Sequence, residues 1–329
     1  MRPFPLTATA LAAALLISPT AAQAATPTIP DDLPIFPQVQ ENPSVSVTLE
    51  DGTPITPDTT VRRGDVLLVH GSGFSPQANR GGFPFPVPPG TPNGLFVLYG
   101  AFPEHWKPSE GADSTARTHP HDRMAWVMPE GTLESIPSGV VEMRRSIARQ
   151  AQPMNQDGSF TARLVVDPSE TTPGDRWGVY VYPGAGSHNA AEEFYIPLRY
   201  SPEPGPNTPP APTQDLLIDA PAAFRFAGLT GGAVKAKNGA TVLDGERVAF
   251  SRDAAAESPE DNGVRKYRGT VVTTAKFTLA EMALADPWLT PLPGGGYAVS
   301  ALVSRSYNVG PDEMVRVPVG VVGAEQVRG

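Results

Sequence analysis

The sequence predicts an all-β protein: an N-terminal β-sandwich joined by a Pro-rich linker to a second, smaller, mainly β domain. Three observations predict it. The 39 prolines and 32 glycines are many for a helical chain and suit strands joined by turns. Apolar residues alternate, or run continuously over strand-length stretches, and do not follow the helical period. The stretch SPEPGPNTPPAPTQ, residues 201–214, is too poor in apolar residues to pack a core, and its prolines hold it extended as a linker. Domains are therefore expected at residues 44–200 and 215–329.

Residues 1–24 read as a secretory signal peptide: Arg2 supplies the positive start, Leu6 to Ile17 an apolar run, and Ala22-Gln23-Ala24 an A-x-A cleavage site. Residues 25–43 are Pro- and Thr-rich without periodicity and read as a disordered lead-in. No other stretch approaches the ~18 consecutive apolar residues of a transmembrane helix, so the mature chain is expected to be secreted or envelope-associated, with no transmembrane segment. The chain has no cysteine, so core packing alone must stabilise it outside the cell. Its formal charge of −9 makes nucleic acid and anionic lipid poor partners. The ending VVGAEQVRG has no apolar tail, so any retention at the envelope is expected to be noncovalent.

Each element of the first domain has its own signal. SVSVTL alternates, with Val45, Val47 and Leu49 on one face, and ends in Asp51-Gly52. DVLLV is a continuous apolar run suited to a buried strand, and GLFVLYGAF and MAWVM follow it. After an NQDG turn, SFTARLVV points Phe160, Ala162, Leu164 and Val166 inward. WGVYVYPG and EEFYIPLRY complete about seven strands, the spacing of an immunoglobulin-like sandwich. GVVEMRRSIARQ has no clear assignment.

The stretch DVLLVHGSGFSP poses a functional question. A strand ending in His-Gly-x-Gly is one way to build an oxyanion hole. That chemistry also needs a G-x-S-x-G nucleophile elbow, and no serine here has glycine two residues before and two after it. The stretch is therefore expected to be a strand and glycine corner, with His70 facing solvent or a neighbouring strand. The same letters resemble the opening of bacterial Ig-like domains on exported proteins. Together with GLFVLYGAFPEHWKPSEGADSTAR, AWVMP, DGSFTARLVV and WGVYVYPGAGSHNAAEEFYIPL, they are similar to the Ig-like domain attached to HtaA-type cell-surface proteins of actinobacteria.

In the second domain FRFAG, ATVLDG, ERVAFS, VRKYRGTVVTT and YAVSALVSRSY are short β-favouring runs with turn residues between them. FTLAEMALADP reads as a short helix or another strand, ended by Pro287, and SRDAAAESPEDNG as a solvated loop. Residues 266–303 resemble the later section of an HtaA domain, which implies haem binding. The chain departs from that family: its early W-G-V-K segment is missing, and no histidine occurs after His188. Tyr267, Tyr297 and Tyr307 are then the candidate axial ligands, all in expected strands.

The remaining candidates lie in the first domain. His119 and His121 are the one close histidine pair, a weak metal site because a structural centre wants about four ligands. The polar loop after Trp106, with Lys107, His119 and His121, is the expected partner-binding loop, since loops on a rigid sandwich carry binding residues. Tyr180 and Tyr182 alternate with Trp177, Val179 and Val181, one set facing the core and the other exposed or covered by the neighbouring sheet; an exposed tyrosine row is a binding surface, but core or cross-strand packing is the expectation. Glu192 and Glu193, adjacent in an expected strand, point to opposite faces and are badly placed to flank one sugar bond. The expectation is a non-catalytic binding module without cofactor, whose partner is a cell-surface or cell-wall component or another envelope protein. The resemblance supplies haem binding or relay as the alternative, and a secreted hydrolase is the third class.

Overall fold

The computed structural model describes residues 42–83, 86–138, 143–276 and 279–328; the expected signal peptide and most of the lead-in lie outside them. Among the described residues between 44 and 201 there are ten strands: β1 (Ser44–Leu49), β2 (Thr60–Arg62), β3 (Val66–Ser72), β4 (Leu95–Phe102), β5 (Met124–Met128), β6 (Ala151–Pro153), β7 (Phe160–Val165), β8 (Arg176–Pro183), β9 (Phe194–Pro197) and β10 (Arg199–Ser201). Sheet β1-β3-β7 faces sheet β6-β5-β4-β8-β9, and β2 pairs separately with β10. Val47, Leu67, Val69, Phe160 and Leu164 meet Val97, Tyr99, Val127, Val179 and Val181 in the core between the sheets.

The alternation in β1 and β7 puts the expected residues inward, since side chains of successive strand residues leave opposite faces. β3 is a correction. Its apolar run is buried only at Leu67, Val69 and Gly71, while Val66, Leu68 and His70 stay half-exposed, because its sheet has a solvent side. The NQDG turn forms, with Gly158 at φ +77°, and a Cβ there would stand 1.7 Å from the Phe74 carbonyl oxygen. Only glycine fits that approach.

The five-stranded sheet is buried on both faces. Its outer face carries Leu98, Phe102, Trp126, Tyr180 and Tyr182, so both tyrosines are interior and neither forms an exposed row. Three connecting segments cover this layer with Val87, Trp106 and Ile136. The third segment holds two short helices, α1 (Thr132–Ser135) and α2 (Met143–Ala148), the latter inside the stretch that resisted assignment.

The described residues of the second region form nine strands: β11 (Leu216–Asp219), β12 (Ala233–Lys237), β13 (Ala240–Leu243), β14 (Arg247–Arg252), β15 (Arg265–Arg268), β16 (Thr270–Thr274), β17 (Glu281–Pro291), β18 (Tyr297–Ser304) and β19 (Met314–Val322). They share one sheet around Leu216, Phe250, Tyr267, Val271, Leu289 and Val299. Two expectations fail here. FRFAG belongs to helix α3 (Pro221–Thr230), which Pro221 opens and Gly231 closes at φ +64°. Pro287 does not end its segment, because β17 runs through it at a bulge. Two residues, Asp286 and Pro287, stand between the Ala285–Leu302 and Trp288–Ser300 pairs, so the missing N–H falls where the ladder is already interrupted. There β17 changes partner from β16 to β15.

No strand pair crosses from one region to the other among the described residues, and residues 202–215 hold neither helix nor strand. Both regions nevertheless belong to one compact unit, residues 40–329. The Pro-rich stretch is tied at each end. Thr208 Oγ1 donates to the Arg63 carbonyl (2.8 Å) and Asn207 Nδ2 to Asp65 (3.1 Å), while the Thr213 N–H donates to Ser251 Oγ (2.8 Å).

Candidate functional site

The loop between β4 and β5, residues 103–123, is built on the outer aromatic layer. Trp106 is only 2 % exposed and stands edge-on to Tyr180 at 5.0 Å, with Phe102 and Tyr182 at 6.2 and 6.0 Å. This corrects its assignment to a contact surface: the indole is the anchor of the loop. Aromatic edge-to-face packing of this kind adds to the burial energy.

Polar bonds hold the rest of the loop. The Ser109 N–H and Oγ donate to the two oxygens of Glu193 at 2.8 and 2.6 Å. Arg117 Nη1 donates to the carbonyls of Trp106 (2.5 Å) and Ala112 (3.3 Å), and its guanidinium lies 5.9 Å from the Tyr182 ring centre. Asp113 accepts from the Thr115 N–H and hydroxyl, and those bonds lower its pKa. Outside, Lys107 pairs with Glu110 at 3.2 Å and His121 is exposed.

His119 is not a solvated loop residue. Its Nδ1 lies 2.6 Å from the Arg117 carbonyl oxygen, to which it donates as Nδ1–H, and its Nε2 lies 3.1 Å from Met124 Sδ. Burial, and to a smaller extent the neighbouring His121 and Arg117, push its pKa down to about 4 against the opposing pull of the carbonyl bond. The ring centres of His119 and His121 are 5.4 Å apart. One ring of the pair is thus already held by a carbonyl and covered by sulfur. Among the described residues no group of three or more His, Asp or Glu converges to hold a metal ion.

Beside His119 a small cleft is lined by Gly100, Thr118, Arg123, Pro168 and Thr172, with room for about one water. Arg123 and Arg63 both pair with Asp167 at its edge, and Arg123 also donates to the Asp167 and Pro168 carbonyls. These bonds fasten β2 and β7 loop residues to the base of the 103–123 loop.

The other sequence candidates resolve into structural roles. His70 sits on β3 between Thr48 (3.2 Å) and Thr161 (3.1 Å), facing neighbouring strands as expected. Gly73 turns the chain at φ +72° against the Asn42 carbonyl, a backbone need. Glu192 and Glu193 are a correction: they close a 3-10 turn, Ala190–Glu192, ahead of β9, and both are buried. Asn79 Nδ2 donates to Glu192 at 2.5 Å, so the pair anchors two different loops. Sequence reasoning missed the buried network around Glu192, in which Asn93 Nδ2 donates to Ser187 Oγ (2.7 Å) and Trp126 Nε1 to the Asn93 carbonyl (2.6 Å). Isolated Asn and Ser in Gly-rich loops carry no periodic signal that would single them out.

In the second region Tyr267 is buried in β15, Tyr297 lies in β18 under Arg265, and Tyr307 is 65 % exposed in a turn, outside any strand. Burial raises the Tyr267 pKa, which opposes formation of the tyrosinate that would ligate iron. The buried phenols of Tyr99 and Tyr180 are likewise raised by burial and donate to the Leu198 and Arg176 carbonyls. Comparisons with protein-family models, with curated proteins and with solved structures find no match.

Proposed function

We propose that this chain is a non-catalytic binding module of the cell envelope or the secreted fraction, and that the outer rim of the 103–123 loop meets its partner. One observation carries the reading. The loop's inner side is held through Trp106, Ser109, Arg117 and His119, which leaves Lys107, Glu110 and His121 on an outer rim carried by an anchored backbone. A preorganised rim costs little entropy on binding.

The partner class is a cell-surface or cell-wall component, or another envelope protein. Cosedimentation of the purified chain with isolated envelope fractions tests this. We expect saturable binding that drops at least tenfold in a Lys107→Glu, His121→Glu double variant whose melting temperature is unchanged. Equal binding by that variant removes the rim from the reading. A parallel titration with hemin discriminates the haem alternative: a stoichiometric Soret shift without envelope binding would replace the proposal.

A further inference from the structure

Residues 129–138 and 143–150, which cover the outer aromatic layer, also reach the second region. Half-buried Met143 and Ile147 of α2 pack on the layer, while Arg145 and Arg149 extend across. All three guanidinium nitrogens of Arg149 donate. Nη1 and Nη2 donate to the two oxygens of Glu281 (2.9 and 2.7 Å), and Nε and Nη2 to those of Asp312 (2.9 and 2.6 Å). Arg145 Nη1 donates to the Asn308 carbonyl.

The acceptor is assembled entirely by the second region. The Glu281 N–H donates to the Tyr307 carbonyl (2.6 Å), and Ser304 Oγ donates to the Gly310 carbonyl (2.6 Å) while accepting from the Ala283 N–H (2.7 Å). Gly310, at φ +51°, lies against the Glu281 carboxylate; a Cβ would stand 2.3 Å from Oε2. Glu281 itself is 8 % exposed. A buried carboxylate tolerates its desolvation only while it is paired. Without Arg149, Glu281 and Asp312 would hold two negative charges around one missing Nη2, with, among the described residues, only Arg145, 4.0 Å from Asp312, to offset them.

We propose that Arg149 is the pin of an ionic latch that locks the two β regions in one orientation, and that releasing it leaves each region folded but free to move about residues 209–212, between the ties at Thr208 and Thr213. Among the described residues no strand pairing joins the regions, which gives side chains this task. Charge pairing with a five-donor fork is specific in direction, which suits a lock better than apolar contact does.

The test uses the full-length chain. Wild-type protein should unfold in one thermal transition. Arg149→Met should unfold in two, with a larger radius of gyration by small-angle scattering. Amide exchange in residues 305–313 should rise at least tenfold, while exchange in the β4–β8 pair stays as in wild type. Gly310→Ala reaches the same latch from the other side, by driving the Glu281 carboxylate from its seat, and should behave alike. One wild-type-like transition with unchanged exchange at 305–313 in either variant overturns the proposal. So does loss of β structure from both regions in both variants, because release is expected to spare each fold.

Discussion

At the scale of single residues, burial decides the roles of Trp106 and His119. Trp106→Ala should cost about 3–5 kcal/mol in chemical denaturation, the usual range for emptying a buried tryptophan site. Were the indole a partner contact, the variant would keep its stability and lose only binding. His119 predicts a pH dependence. Its folded pKa of about 4 lies below the ordinary 6.5, so between those values the unfolded chain binds more protons. Stability from this group is complete above pH 6.5 and is lost as the pH falls toward 4. From pH 7 to pH 5 the loss should be about 2 kcal/mol, and His119→Gln should remove that part of the slope. Identical slopes in urea titrations of the two proteins at pH 5, 6 and 7 would contradict the assignment.

At the scale of elements, edges and interruptions matter most. Strand β7 is the edge of its sheet, yet the Gln152 side chain covers it: Nε2 donates to the Arg163 carbonyl (2.9 Å) and Oε1 accepts from the Arg163 N–H (2.8 Å). The carboxamide imitates a neighbouring strand and blocks pairing with another chain. Gln152→Ala should therefore self-associate at concentrations where the wild type stays monodisperse in light scattering, with melting lowered by only ~1–2 kcal/mol equivalent. The other long edge, β19, is blunted by Pro318 and by the irregularity between Val299 and Ser300 in its pairing with β18. In β17 the bulge at Asp286 and Pro287 lets one strand serve two partners. Pro287 looked like a terminator because its effect depends on whether an N–H is needed, which is a property of the ladder.

At the scale of the whole molecule, the Pro-rich stretch is a strap more than a loose tether. Its bonds to Arg63 and Asp65 on one side and to Ser251 on the other leave little free chain between them. Limited digestion with a nonspecific protease should spare residues 202–215 at protease levels that cut an unstructured proline-rich peptide of the same sequence. Rapid cleavage there, followed by separation of two stable fragments, would show that the ties do not persist in solution.

The all-β class, the alternation of β1 and β7 and the NQDG turn were legible in the sequence, because periodicity and turn chemistry are local. Helix α3 was not read, because the aromatics of FRFAG pointed to a strand. Of the candidate site, sequence analysis located the loop and its histidines without their environment. Only the tertiary structure decided that Trp106 and both strand tyrosines are interior, that Glu192 and Glu193 hold loops, and that Arg149 reaches Glu281 across 132 positions of chain. Burial and long-range pairing depend on which distant segments share space, and no local pattern in the chain encodes that.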